Sequence, residues 1–304
     1  MMEVKTFCKL TLGCLLVLNV SACKSDSTSN VKDGTVVISG NLTYDKLKDA
    51  LSPFVNKNES TKGWETSNDF VTKTIQIDEN LRTIDASCVI DILFVQSENL
   101  SVRMVIPKKW ANYYTMKYRN GCLEAGQDGM KNVRINGNQD RVKLYVSAPN
   151  LSALNLSGAS SAKIDNLKLI SDFVANCSGA SNIAIKKLIG EGNLKIDYSG
   201  ASNFAVEDAR VRTVEADVSG ASNVSLGTLE ATKVSGDISG CSHIYITGEF
   251  DKISMDVSGV SKATLRGKAD RAQLSASGMS KINIKDLICS NVDKDTSGMS
   301  HIEK

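Results

Sequence analysis

The chain has 304 residues and a formal net charge of +2, too nearly neutral for the electrostatic footprint of a nucleic-acid-binding protein. Five cysteines lie beyond Cys23 (Cys88, Cys122, Cys177, Cys241 and Cys289), an odd number with no Cys-x-x-Cys spacing. That argues against both a full disulfide framework and a metal site, and no cofactor is expected.

Residues 1–22 read as a targeting segment. Lys5 and Lys9 make a basic start, and Leu10 to Val20 is apolar except for Thr11 and Asn19. The run is too short to span a membrane and suits a signal-peptide core. It ends in Val20-Ser21-Ala22-Cys23, which resembles a bacterial lipobox. The resemblance implies cleavage behind Ala22 and a lipid anchor on Cys23. Cleavage there removes one acid and two bases and lowers the net charge to about +1.

Residues 23–33 read as a flexible polar tether. Lys24 and Asp26 flank Ser25, a weak form of a surface-export signal, so either face of the outer membrane stays open. Residues 34–69 form an extension in which Tyr44 to Ala50 suits one short helix before Pro53. Lys57 to Asn68 is polar enough for loop. From residue 70 strand patterns dominate: Thr72–Ile77, Ser87–Val95, Leu100–Ile106 and Arg141–Val146. These suit the first, less regular coils and the N-terminal cap of a domain running to residue 304.

Residues 151–304 are the regular part. Ser-Gly-x-Ser begins at Ser157, Ser178, Ser199, Ser219, Ser239, Ser258, Ser277 and Ser297, in steps of 19 to 21 residues. A fixed period near 20 residues marks a solenoid, whose repeats bury their apolar faces only against one another. Apolar residues alternate on both sides of each motif, the strand pattern. The expected fold is all-β, a parallel β-solenoid of about 20 residues per coil. Gly158, Gly179, Gly200, Gly220, Gly240, Gly259, Gly278 and Gly298 are expected at the bend, where φ > 0 or close approach is needed. The x position runs from Ala159 through Ala221 to Cys241, Val260, Met279 and Met299. It is expected to face a core that widens toward the C-terminus, with Cys177 and Cys241 as small core residues. In the last coil Lys294, between Asp293 and Asp295, occupies an apolar column and blunts the sheet edge. A leucine-rich repeat shares the period, but at the position of its buried asparagine these coils carry alanine or a larger apolar residue.

Ser-Gly-Ala-Ser-Asn at Ser178, Ser199 and Ser219, after the lead-in Val142 to Leu154 (VKLYVSAPNLSAL), resembles the head GIN domain family. That family carries an adhesin label and is found largely as lipoproteins of Bacteroidetes-like bacteria. The resemblance covers about residues 70–304. It implies a right-handed parallel β-helix and brings no catalytic residues with it.

The chemistry of the repeat is mostly structural. Its sixteen serines cannot share two histidines, His243 and His301, so stacked hydroxyls that satisfy the bend are expected rather than nucleophiles. Two residues before each motif stand Asn155, Asn176, Asp197, Asp217, Asp237, Asp256, Ser275 and Asp295. Stacked carboxylates repel one another. Asp197, Asp217, Asp237 and Asp256 therefore need their own turns, as the first expectation, or a cation such as calcium. Just past the second serine lie Asn182, Asn203 and Asn223, then His243, Lys262, Lys281 and His301, a column that suits either a solvated outer face or a buried asparagine ladder, its lysines favouring the former. The expected function is non-catalytic: an envelope lipoprotein presenting a rigid face to a host or envelope polymer or protein. A polysaccharide lyase or hydrolase competes, as does a periplasmic scaffold.

Overall fold

The structure, a computed structural model, describes residues 29–32, 35–38, 42–55, 69–128 and 141–304. Cys23, on which the lipobox-like segment implies a lipid anchor, lies outside the described residues. A hairpin of β1 (Ser29–Lys32) and β2 (Thr35–Ile38) precedes helix α1 (Tyr44–Val55). Strands thus occur where the sequence suggested the end of the tether. Thr43 caps α1 through its Oγ1, which accepts the Lys46 N–H at 3.2 Å. The helix runs past Pro53, which near its end removes only one bond of the ladder.

The less regular part contains β3 (Phe70–Thr74), β4 (Thr83–Ala86), β5 (Ile90–Gln96), β6 (Ser101–Pro107), β7 (Tyr114–Arg119), β8 (Cys122–Gln127) and β9 (Val142–Ala148). Regular coils follow: β10 (Ala153–Leu156) with β11 (Ser161–Leu169), β12 (Phe173–Cys177) with β13 (Asn182–Gly190), and β14 (Leu194–Tyr198) with β15 (Asn203–Arg210). After β16 (Thr213–Val218), the strands β17 (Asn223–Ile238), β18 (His243–Val257) and β19 (Lys262–Ala276) each span two faces of the solenoid. β20 (Lys281–Asn283), β21 (Leu287–Thr296) and β22 (His301–Glu303) complete it. Successive coils pair in parallel with equivalent residues in register, Asn155 with Asn176 and Asp237 with Asp256. This is a β-solenoid, as the period predicted.

At the N-terminal end, order in space departs from order in sequence. β4 and β5 pair in parallel with β8 and β9 on one side and with β10 and β11 on the other. The chain therefore lays down the second coil first, returns beneath it, then crosses back to continue upward. Gln96 holds the crossing: its Nε2 donates to the carbonyls of Pro149 (2.8 Å) and Lys168 (3.0 Å). Its Oε1 accepts the Lys168 N–H at 2.7 Å. β6 and β7 run antiparallel to β9 and β8 and cover the edge that the outermost coil would otherwise expose.

The inward columns fill one continuous core, with Leu154, Ile196, Met255 and Leu274 in one column and Leu156, Tyr198, Val218 and Val257 in the next. Gly236 leaves a gap in the first column, which Met255 fills: a Cβ on Gly236 would lie 2.8 Å from the Met255 Sδ. α1 lies over β5, β11, β13 and β15. Ala184 and Ala205, which alternation turns outward, are fully buried, as is Leu47 of the helix.

The Ser-Gly-x-Ser corner corrects one expectation. All eight motif glycines have φ between 70 and 75°. This left-handed residue interrupts the two-residue alternation, so the x side chain turns outward and the second serine inward. Ser181, Ser202, Ser222 and Ser242 are fully buried, whereas Val260, Met279 and Met299 are 51%, 56% and 77% exposed. Cys241 is also exposed, and only Cys177 of the two belongs to the core. The core does not widen at this corner. The buried hydroxyls satisfy the bend: Ser181 Oγ donates to the Ser178 carbonyl at 2.9 Å and Ser202 Oγ to that of Ser199 at 3.0 Å, whereas Ser222 Oγ accepts the Ser202 N–H at 3.4 Å and Ser242 Oγ that of Ser222 at 3.3 Å.

Cys88, between β4 and β5, takes the same left-handed conformation with φ 76°. Its carbonyl accepts the Ala159 N–H at 2.6 Å, as the Gly158 carbonyl accepts that of Ala180 at 2.7 Å. Cys88 thus stands at the foot of the glycine column, with a Cβ the later coils do without. Cys88→Gly is expected to leave the melting temperature unchanged or raise it by a few degrees. Relief of about 1–2 kcal/mol of left-handed strain outweighs or matches the greater freedom of glycine when unfolded. Thermal unfolding followed by circular dichroism checks this, and a large loss would show that the thiol is needed.

Candidate binding groove

The strand preceding each bend shows alternate residues to solvent, and in-register stacking turns them into columns. From β16 to β21, the column two before the motif reads Asp217, Asp237, Asp256, Ser275, Asp295. Two residues earlier come Glu215, Ser235, Ser254, Gln273, Asp293, and two earlier again Thr213, Lys233, Lys252, Arg271, Asn291. The first two columns line a groove of about 570 Å³, floored by the backbone of Ala216, Gly236, Met255 and Leu274. It runs along the solenoid axis, across the strands. Its walls hold six carboxylates with serine and glutamine between them, and no aromatic ring, histidine or cysteine.

The sequence-predicted acidic ladder is here. Asp197, Asp217, Asp237 and Asp256 are all exposed, and the last three line the groove. Among the described residues, none makes a side-chain hydrogen bond to its own turn, contrary to the first expectation; at the Asp197 turn the Ser202 hydroxyl already closes the bend. Nor is any group of three or more His, Cys, Asp or Glu placed to hold a metal ion among them. Two members were missed: Glu124 pairs in register with Asp85, and Asp85 with Asn155. They extend the ladder to the other end of the solenoid. No spacing rule could have found them, since their coils are out of sequence order. Asn155 and Asn176 bridge the early rungs, with Asn176 Nδ2 donating to Asn155 Oδ1 at 2.8 Å.

Burial first, then the charges of Asp256 and Asp217, push the Asp237 carboxyl above its ordinary value. A raised carboxyl stabilises the fold below its unfolded pKa and loses that contribution as pH rises through the folded value. Asp237→Asn is therefore expected to stabilise the protein at pH 7, by well under 1 kcal/mol after solvent screening. The gain should shrink as pH falls toward 3.8, the ordinary value. Urea unfolding of both proteins at pH 7 and pH 4 measures it.

The other polar column divides rather than forming one solvated face. Asn182 and Asn203 are 2% and 4% exposed. They form a ladder in which Asn203 Nδ2 donates to Asn182 Oδ1 at 2.8 Å, and Asn223 Nδ2 to Asn203 Oδ1 at 2.9 Å. His243, Lys262 and Lys281 are half-buried and His301 exposed. At the far end the same column holds Asp91, in register with Ser161. Asp91 is buried and clasped by Arg141 at 2.5–2.9 Å. Neither histidine is among the residues that line the groove, so its serines have no histidine base beside them.

Fold and groove together define a parallel β-solenoid that offers an elongated, anionic face built on rigid strands. Residues 80–249 and 227–303 match the family described as "Putative auto-transporter adhesin, head GIN domain". The chain belongs to the head GIN domain family. Among solved structures it is similar to a "putative adhesin" from Parabacteroides merdae, with a TM-score of 0.64 and 17% identity, over 78% of this chain and 96% of that one. A "putative adhesin" from Bacteroides fragilis gives a TM-score of 0.57 at 17% identity, over 78% and 97%. A "Putative lipid binding protein" from Parabacteroides distasonis gives 0.60 at 15% identity, over 78% and 97%. At these identities the likeness concerns the fold. No curated protein matches the chain significantly.

Proposed function

We propose that this is a non-catalytic cell-envelope protein that holds an elongated partner along the groove, and that Cys23 anchors it by lipid to the outer membrane. The observation that carries the reading is the groove itself. It runs the length of several coils and offers carboxylates and hydroxyls in a repeating array, with no histidine in its lining. The adhesin descriptions of the family and of two structural relatives support a binding role, and the lipobox-like Val20–Cys23 supports the anchor. The partner that suits the groove is a host or envelope polymer or protein carrying cationic or hydroxyl groups at regular intervals, and not a nucleic acid.

One observation favours a second reading. Asp217, Asp237 and Asp256 stand in register on neighbouring strands, which lie about 4.8 Å apart, a backbone spacing that could bring two carboxyls to the roughly 5–5.5 Å used by retaining glycosidases. Asp237, with its raised carboxyl, would be the acid. Incubation with cationic and neutral polysaccharides, with binding and reducing ends followed together, separates the two. Saturable, salt-sensitive binding without product supports the binding reading, and new reducing ends overturn it. Protease treatment of intact cells, beside a periplasmic lipoprotein as control, decides the face. Cleavage with the control spared means display outside; protection means an envelope-internal partner.

A further inference from the structure

The outward-turned x column makes an unbroken apolar ridge along one corner of the solenoid: Cys241, Val260, Met279 and Met299, all exposed. On one side of it lies the acidic column, on the other the histidine–lysine column. We propose that this corner is a contact strip for a second copy of the chain, the two solenoids lying side by side about a two-fold axis parallel to the ridge.

The charge pattern selects that arrangement. Such an axis leaves each coil at its own height and exchanges its two flanks. Asp237 then faces the partner's His243, Asp256 the partner's Lys262, and Asp295 the partner's His301. In the remaining coil Lys281 is already held by Glu303 at 2.6 Å, and the residue that faces it is the partner's Ser275, uncharged. The carboxylates of Asp237, Asp256 and Asp295 and the Lys262 ammonium form no ion pair within the chain among the described residues. A perpendicular axis would set acid against acid. The parallel axis also stacks apolar on apolar, because like residues meet along it: Met279 against the partner's Met279, Cys241 against the partner's Cys241. A convex corner buries less than a standard interface, so the contact is weak and the test must capture it.

Mild oxidation of the concentrated, purified full chain supplies that capture, read as a disulfide-linked dimer on a non-reducing gel. The wild type is expected to form one, Cys241→Ser to lose it, and Met279→Cys in the Cys241→Ser background to restore it. Lys262→Glu and Asp256→Lys, both surface changes, should each lower the yield several-fold. Mixing these two variants should bring it back, since each supplies the flank the other repels. No dimer in the wild type, or equal yields from the single charge variants and their mixture, overturns the proposal. A foreign occupant of the ridge would give the first of these outcomes. Polymer binding by Lys262→Glu, which leaves the groove lining intact, tests the groove reading separately.

Discussion

Replacing Arg141 with alanine is expected to destabilise the protein by about 3–5 kcal/mol, because it strands a buried charge. The pair is shut away from water, with both side chains 2% exposed. Arg141 Nε donates to both Asp91 oxygens at 2.9 and 2.8 Å, and its Nη2 donates to Asp91 Oδ1 at 2.5 Å and to the Ala159 carbonyl at 2.9 Å. One guanidinium thus joins three coils where the chain order is permuted: it precedes β9, clasps β5, and reaches the bend between β10 and β11. Burial pushes the Asp91 carboxyl up, and the charge and hydrogen bonds of Arg141 oppose that. Without Arg141 the carboxyl is raised further. The variant's deficit should therefore be largest at neutral pH and shrink on acidification, as Asp91 takes up a proton. Urea unfolding at pH 7 and pH 5 tests both points. The double change Asp91→Leu with Arg141→Met should recover much of the loss, since a well-packed apolar pair carries no desolvation penalty. Equal losses in the single and double variants would mean that Arg141 acts through its link to Ala159 rather than through the ion pair.

Gly240→Ala is expected to cost about 2–5 kcal/mol, combining left-handed strain with overpacking against backbone. Gly240 has φ 73°, and an added Cβ would lie 2.5 Å from the Gly220 carbonyl oxygen. That oxygen also accepts the Cys241 N–H at 2.7 Å, so the intruding methyl would force apart the two coils that this bond joins. In a solenoid each coil is supported only by its neighbours. The damage should therefore appear as local loss of hydrogen-exchange protection in β18 to β22, with β10 to β15 kept. Uniform loss across all coils would show the solenoid to be one cooperative unit. Cys241→Ala, one residue on but facing solvent, should change stability by no more than about 0.5 kcal/mol.

How far each feature could be read before the structure depends on whether neighbours in space are neighbours in the repeat. Ser-Gly-x-Ser at a near-constant interval is a local pattern repeated in register, so it specified the strands, their parallel stacking and the bend glycines. The acidic ladder from Asp197 to Asp256 followed for the same reason. The side chain after each glycine was placed on the wrong side, because alternation holds only while the backbone stays extended and a left-handed residue resets it. The Asn182–Asn203 column admits both a solvated face and a buried asparagine ladder, and its later lysines favour the former, because composition alone does not show where burial ends.

What the sequence by itself determined is the repeating unit, and with it the solenoid and its polar columns, because short-range hydrogen bonding and side-chain periodicity act within one coil and the next. What only the tertiary structure decided depends on long-range closure. This covers the out-of-order first coils, the place of Glu124 and Asp85 in the ladder, Cys88 at the foot of the glycine column, the Asp91–Arg141 clasp, and the ridge left outside. Each arises where segments far apart in the chain meet, and no local periodicity records those meetings.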